Sequence, residues 1–148
     1  MSTRGLIAIE KTDKTCISSY AHYDCYPSGA GRILIDHYKT LEEAEALLAL
    51  GFLSALGERL APELGEKHDY EHPVSDICIA YHRDRGEEMH PPTVWPNADD
   101  MLAKASDRFW AEYVYLFRDG KWYVDSTYHS KGWRLVEDVL REHDDEQN

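Results

Sequence analysis

Residues 111–125 read AEYVYLFRDGKWYVD, and this stretch is the strongest indication of the fold. Two aromatic-rich runs, Ala111–Phe117 and Lys121–Asp125, flank an Asp-Gly pair. Asp-Gly readily adopts the left-handed backbone of a tight hairpin turn, so the stretch predicts two antiparallel strands. Alternation predicts that the large side chains of each strand share a face. These side chains are Tyr113, Tyr115 and Phe117 on the first strand, and Trp122 and Val124 on the second.

Strand-like runs also occur in the first half of the chain. Leu6–Glu10 and Cys16–His22 are separated by a polar loop, which predicts an N-terminal hairpin. Asp76–His82 alternates apolar and polar side chains and predicts a lone third strand in the centre of the sheet. Phe52–Gly57 is interpreted as a packed loop or a helical turn, and the proline-containing Glu87–Trp95 as a surface excursion.

The clearest helix start is at Thr40, where Glu43 stands three residues later and completes a capping box. The helix is predicted over Leu41–Leu50, with Leu41 on its buried face and Gly51 as the left-handed residue that ends it. Further helices are predicted to begin near Gly31, to run from Asn97 through Lys104, and to follow Trp133 toward Leu140.

These elements predict the fold class. Residues 1–141 are expected to form one α+β domain with a mainly antiparallel sheet of about five strands, two hairpins plus one strand. Two to four helices would pack on one face of that sheet. Residues 142–148 are expected to form an acidic, frayed tail.

Composition excludes several classes of protein. The net charge is −12, and residues 40–148 carry eleven basic against twenty-four acidic side chains. Direct nucleic-acid binding needs clustered Lys and Arg, so a partner with a basic surface fits better. There is no apolar run long enough to span a membrane. An odd cysteine count without a Cys-x-x-Cys pair favours a soluble cytoplasmic protein, with Cys16 and Cys78 buried and Cys25 in an accessible loop.

Two segments near the N-terminus resemble a known group of proteins. Thr3-Arg4-Gly5 is followed by Tyr20-Ala-His-Tyr-Asp-Cys-Tyr-Pro-Ser-Gly-Ala-Gly31. Together they resemble small proteins encoded by bacteriophages and prophages, for most of which no activity is established. The resemblance continues at Gly51–Gly57, Tyr81–Glu87 and Tyr113–Val124. It implies a phage-type accessory protein that acts in the host cytoplasm, with a host defence system as one target.

The same N-terminal segments contain the densest cluster of reactive side chains. Arg4 and the pair His22 and Asp24 fall on neighbouring strands of the predicted hairpin, where they could bind an anion or act as catalytic groups. The glycine-rich turn would let backbone N–H groups approach that anion. The residues it adds to the predicted ligand site are Ser28, Gly29, Gly31 and Arg32. The alternative is that His22 and Asp24 brace the turn and Arg4 pairs with Asp24.

Two further chemistries are consistent with the sequence. Removal of Met1 would make Ser2 an N-terminal nucleophile with its own amine as the base, similar to N-terminal nucleophile hydrolases. His68 and His72 stand four residues apart and could hold a metal on one helical face, although Pro73 follows at once. The alternative for the histidines is a solvated polar loop.

These observations lead to two functional hypotheses. The first is a non-enzymatic protein that binds a host or defence-system protein with a basic surface, as an inhibitor or nucleic-acid mimic. Its acidic helical face would consist of Glu42, Glu43 and Glu45. The second is a small-molecule or phosphate site around Arg4, His22 and Asp24, with hydrolase activity as one form. No cofactor is expected, and a homo-oligomer remains open.

Overall fold

The computed structural model describes the backbone of residues 2–147 and the side chains of residues 2–142. This part of the chain folds as an α+β protein with one sheet of eight strands and five α-helices. The strands are β1 Gly5–Glu10, β2 Cys16–Tyr23, β3 Leu53–Ala55, β4 Ile79–Ala80, β5 Thr93–Trp95, β6 Tyr113–Arg118, β7 Lys121–Ser126 and β8 Arg134–Leu135. The helices are α1 Arg32–His37, α2 Leu41–Leu48, α3 Tyr81–Arg85, α4 Ala98–Phe109 and α5 Val136–Gln147, and a π-helical turn, Pro27–Gly31, precedes α1.

The sheet is mainly antiparallel and centred on the N-terminal hairpin. Its strand order is β4-β3-β2-β1-β6-β7-β8, and β5 pairs with the part of β2 that β3 leaves free. Two pairings are parallel, β1 with β6 and β2 with β3. Ile7 of β1 therefore stands between Ser19 of β2 and Tyr115 of β6.

Both predicted hairpins are confirmed. β6 and β7 pair in antiparallel register, and Asp119 and Gly120 have φ angles of 51° and 79°. Positive φ at both central residues is the geometry that makes Asp-Gly a hairpin turn. β1 and β2 likewise pair in continuous register from Gly5 opposite Ala21 to Glu10 opposite Cys16.

The sheet has more strands than the sequence predicts, and the predicted lone strand is mostly wrong. Only Ile79–Ala80 of that segment is strand, and it lies at the edge of the sheet. α3 begins at Tyr81, where the Asp84 carboxylate accepts a hydrogen bond from the Ala80 N–H. Leu53–Ala55 is strand β3, so the interpretation of this segment as a loop or helical turn is wrong. Thr93–Trp95 is strand β5, so the predicted surface excursion contains a strand at its end.

The predicted helix starts are confirmed, but some lengths differ. The Thr40–Glu43 capping box is present, α2 ends at Leu48, and Gly51 has a φ of 80°. Leu41 is 46% exposed, so the expectation that it packs inward is wrong. α4 begins after the Asn97 cap and continues to Phe109.

The last helix covers most of the predicted acidic tail. The backbone of α5 is helical through Gln147, so residues 142–147 extend this helix. The side chains of residues 143–147, and all of Asn148, lie outside the described part of the chain.

Helices cover both faces of the sheet, whereas the sequence predicts one covered face. On one face, α4 packs through Met101 and Ala105 against the even-numbered residues of β1 and β6. On the other face, α1, α2 and α5 pack against the odd-numbered residues of the same strands. That second core contains the predicted aromatic row Tyr115 and Phe117, with Trp122 and Val124 from β7 and Tyr113 packed against it. A sheet covered on both faces explains why β1 is buried along nearly its whole length.

Among the described residues, no helix combines the length and the apolar character needed to cross a membrane.

Candidate functional site

A cavity in the described structure lies beside the β6–β7 hairpin. It has a volume of about 400 Å³ and is bordered by the hairpin, the π-helical turn, the loop between β7 and β8, and α5. The lining residues that matter most are Tyr26, Ser28, Tyr113, Asp125, Lys131 and Arg134. This volume lies in the range of small-molecule sites in proteins. We call it the hairpin pocket.

The π-helical turn forms one wall of the pocket. Close packing at Gly31 holds this turn in place. A Cβ atom on Gly31 would lie 3.0 Å from Val136 Cγ1 of α5 and 3.3 Å from Tyr115 Cε1. The buried Tyr115 hydroxyl donates a 2.6 Å hydrogen bond to the Cys25 carbonyl, just before the turn. These contacts fix Tyr26 and Ser28 against the hairpin.

The floor of the pocket contains a buried carboxylate that organises the β7–β8 loop. Asp125 is 5% exposed. Its Oδ1 accepts hydrogen bonds from the Ser126 and Lys131 N–H groups at 2.9 and 3.1 Å. Its Oδ2 accepts one from the Ser130 hydroxyl at 2.6 Å. The loop therefore wraps around one side chain, and this arrangement places Lys131 at the pocket wall.

An ion pair stands at the pocket's α5 side. The Arg134 guanidinium donates one hydrogen bond to the Glu142 carboxylate, at 2.8 Å, and its other terminal nitrogen lies 2.7 Å from the second carboxylate oxygen. This pairing lowers the pKa of Glu142, and the positive charge of Lys131 lowers it further. The pKa of Arg134 is raised by the same pairing. Glu142 therefore pairs with Arg134 and also lies in the positive field of Lys131.

The hairpin pocket is lined by both apolar and polar side chains. Val124, Val139 and Pro27 supply apolar surface, and Tyr26 and Tyr113 line the same pocket. Such a lining suits a compact organic molecule that carries a polar group, because the apolar surface supplies affinity and the polar groups set orientation.

The predicted Arg4, His22 and Asp24 site is only partly assembled and does not line this pocket. Gly5 pairs with Ala21, so Arg4 and His22 are neighbours as predicted. The Arg4 guanidinium lies 5.4 Å from the Trp110 ring. No ion pair joins Arg4 to Asp24 within the described residues, so the part of the alternative that pairs these two side chains is wrong.

His22 and Asp24 each have a structural role. His22 Nδ1 lies 2.7 Å from the Tyr20 hydroxyl. Burial lowers the pKa of His22, and the positive charge of Arg4 contributes. Asp24 has a φ of 60°, and its carbonyl accepts a hydrogen bond from the Ala30 N–H, so it shapes the turn.

The predicted anion cradle at the glycine-rich turn is corrected. The Gly29 N–H donates to the Tyr26 carbonyl, so this donor is already used within the turn. A Cβ on Gly29 would lie 2.5 Å from the Asp24 carbonyl oxygen, and Gly31 packs against α5. Glycine is therefore required here by packing. Arg32 lies at a separate hollow beside α5, and of the seven predicted ligand residues only Ser28 lines the hairpin pocket.

The structure does not place Cys25 or Ser2 where either could act as a nucleophile in the hairpin pocket. Cys25 is fully buried, against the prediction of an accessible loop, and burial raises its pKa to about 12. Cys16 and Cys78 are buried as predicted. The Thr3 carbonyl accepts a hydrogen bond from the Cys25 N–H, and Ser2 is not a lining residue of the pocket. The predicted removal of Met1 falls outside the described residues.

The predicted metal pair does not form. Residues 68–72 are not helical, and the two imidazoles have different surroundings. The buried His68 ring accepts a hydrogen bond from the Val74 N–H through Nδ1, and its Nε2 lies 3.1 Å from the Cys78 carbonyl oxygen. Both ring nitrogens are therefore engaged. His72 is exposed beside Asp69, and no group of three metal-binding side chains occurs in the described part of the chain.

The predicted acidic face is present on α2. Glu42, Glu43 and Glu45 are all exposed. The Glu43 carboxylate is used by the capping box, where it accepts a hydrogen bond from the Thr40 N–H at 3.1 Å. The exposed Leu41 adds an apolar side chain to this face.

Of the thirteen residues that line the hairpin pocket, sequence reasoning found only Ser28 as a site residue. The missed residues include Tyr113, Asp125, Lys131, Arg134 and Glu142. The sequence predicts Tyr113 and Asp125 only as hairpin residues. The sequence did contain one signal for this pocket. It was a carboxylate at the end of a strand, followed by a polar loop with two cations.

No family model matches the sequence, and neither the curated proteins nor the solved structures contain a significant match. The geometry of the hairpin pocket is therefore the basis on which a function is proposed.

Proposed function

We propose that this chain is a small-molecule-binding protein whose ligand occupies the hairpin pocket. The observation that carries the proposal is the pocket itself, a volume of about 400 Å³ with an apolar wall, two phenols and three basic side chains. This pocket replaces the predicted site around Arg4, and most of its lining residues come from the C-terminal half of the chain. Ser28 is common to both sites.

The lining supports binding through ordinary apolar burial and a few directed polar contacts. Val124 and Val139 offer apolar surface, and each Å² buried contributes roughly 25 cal/mol. The walls are preorganised, because Asp125 holds the loop and Gly31 holds the turn. A preorganised site keeps the entropy cost of binding low.

We propose binding without a catalytic step. The Ser126 hydroxyl accepts a hydrogen bond from the backbone N–H of His129, at 3.2 Å. In the described structure this bond involves the main chain and leaves the imidazole uninvolved. A serine activated by a neighbouring base would need a hydrogen bond to the ring itself.

The test is a titration of ¹⁵N-labelled protein with benzamide, a neutral aromatic probe. We expect chemical-shift changes centred on the amides of Tyr113, Ser126 and Lys131. Ser28→Tyr places a large ring in the pocket from an exposed position and should abolish those changes.

The matched control is Ser75→Tyr, which adds the same ring at an exposed serine that is not a lining residue of the pocket. It should bind benzamide as the wild type does. Shifts that are scattered over the surface, or that persist unchanged in Ser28→Tyr, would overturn the proposal.

A second candidate function is the phage-type accessory protein that binds a basic partner. The observation that favours it is the α2 surface, where Leu41 is exposed beside Glu42 and Glu45. Neither glutamate belongs to an ion pair within the described part of the chain. Exposed apolar surface flanked by unpaired charge is typical of protein interfaces with electrostatic complementarity.

This second candidate is tested by pull-down from a bacterial lysate at low ionic strength. The double variant Glu42→Lys with Glu45→Lys should lose any protein that the wild type captures, and the loss should exceed that of Glu88→Lys, an exposed control elsewhere. Equal capture by all three proteins would refute a role for the α2 surface.

A further inference from the structure

The ion pair between Arg134 and Glu142 has the geometry of a ligand contact. Nη1 of the guanidinium donates a 2.8 Å hydrogen bond to one carboxylate oxygen, and Nη2 lies 2.7 Å from the other oxygen. Charge-assisted contact of this kind is how arginine recognises a carboxylate. Both residues line the hairpin pocket, so the contact lies where a ligand would be.

The placement of Lys131 strengthens that comparison. Lys131 is exposed, lines the same pocket and acts on Glu142 through its charge. The carboxylate of Glu142 therefore occupies a position that receives positive charge from two side chains. Any other carboxylate placed there would receive the same field.

Glu142 lies on the more exposed side of this contact. Its side chain is 59% exposed, whereas that of Arg134 is 32% exposed. A glutamate on a helix surface can rotate into solvent without moving the helix. An exposed ion pair of this kind is worth only about 0.2–1 kcal/mol, so an incoming anion can displace it.

We propose that the hairpin pocket takes small carboxylic acids with an apolar body, and that Glu142 occupies the carboxylate position until the ligand arrives. This inference rests on the proposed small-molecule function. The ligand carboxylate would exchange with that of Glu142 on the Arg134 guanidinium, beside Lys131. Its apolar body would lie against Val124 and Val139. Glu142 thereby acts as an internal competitor that sets the affinity.

The experiment compares benzoate with benzamide, which have nearly the same shape and differ in charge. Glu142→Gln removes the competing charge, so it should raise the ratio of benzoate affinity to benzamide affinity about 1.4- to 5-fold, the ratio that corresponds to the energy of one exposed ion pair. Arg134→Gln should lower that ratio below the wild-type value.

The control is Glu137→Gln, which removes one negative charge from an exposed position on the same helix. Glu137 is not a lining residue of the hairpin pocket. If it tightens benzoate as much as Glu142→Gln does, net charge explains the effect and the inference is overturned. It is equally overturned if Glu142→Gln leaves benzoate affinity unchanged.

The outcomes also separate this inference from the function on which it rests. Benzamide binding with no effect of Glu142→Gln on benzoate keeps the proposed function and removes the competitor role. Failure of both probes to shift the pocket amides removes the proposed function, and the carboxylate inference falls with it.

Discussion

Replacing Asp125 by Ala should release the loop that forms one side of the hairpin pocket. Three hydrogen bonds end on this carboxylate, two from backbone N–H groups and one from the Ser130 hydroxyl. Hydrogen bonds to a charged group contribute a net stabilisation of about 1.5–3 kcal/mol each. Lys131 and Ser130 are exposed, so water recovers much of that loss. We therefore expect a loss of about 2–3 kcal/mol in unfolding free energy.

Urea unfolding followed by tryptophan fluorescence measures this change, and thermal unfolding should show a Tm lower by roughly 4–10 °C. Hydrogen exchange at the Lys131 amide should accelerate more than exchange in β6. Asp125→Asn keeps one oxygen for the two N–H donors and should lose only about 1 kcal/mol.

The control is Asp107→Ala, which removes an exposed carboxylate from α4. Equal urea midpoints for Asp125→Ala and Asp107→Ala would refute the claim that Asp125 holds the loop. A loop that loosens should also weaken benzamide binding, which connects the stability measurement to the proposed site.

Three other predictions concern the core and the sheet. A Cβ on Gly57 would lie 2.5 Å from the Ile77 carbonyl carbon, so Gly57→Ala should lower the unfolding free energy by about 3 kcal/mol. Urea unfolding measures this change, and a midpoint equal to that of the wild type would contradict this packing. The buried Tyr38 hydroxyl donates a 2.7 Å hydrogen bond to the Gly57 carbonyl, so Tyr38→Phe should cost about 1–3 kcal/mol, and an unchanged Tm would refute it. Hydrogen bonds from Arg118 lower the pKa of Glu10 below 4.5, so the stability that this pair contributes should be complete above that pH and disappear as pH falls through the lowered pKa. The gap in unfolding free energy between wild type and Glu10→Gln should therefore shrink as the pH falls below 4.5 and through the lowered pKa, and a constant gap would exclude this coupling.

Local signals predicted the elements that local chemistry defines. The Asp119-Gly120 turn needs positive φ at both positions, and few residue pairs other than Asp-Gly and Asn-Gly supply it easily. The Thr40–Glu43 capping box satisfies two backbone donors within four residues. In both cases the interacting groups are close in sequence, so their pattern is visible without knowledge of the fold.

The strands that were missed depend on partners far away in sequence. Leu53–Ala55 and Thr93–Trp95 are too short to show an alternating pattern, and both exist because they pair with β2. The buried Trp95 indole also donates a hydrogen bond to Ser18 of that strand, at 2.8 Å. Pairing over such distances has no signature in either segment alone.

The amino-acid order alone was enough to establish an α+β chain, its two hairpins, its capped helix and its acidic character, because propensity, turn geometry and charge act over a few residues. The hairpin pocket arose only when Tyr26, Asp125 and Arg134 came together from three separate segments. Burial between distant segments brings these residues together. Helices cover both faces of the sheet, and α5 packs over the hairpin where Gly31 allows close contact. The free energy of such packing is shared among distant residues, so no single stretch of sequence reveals it.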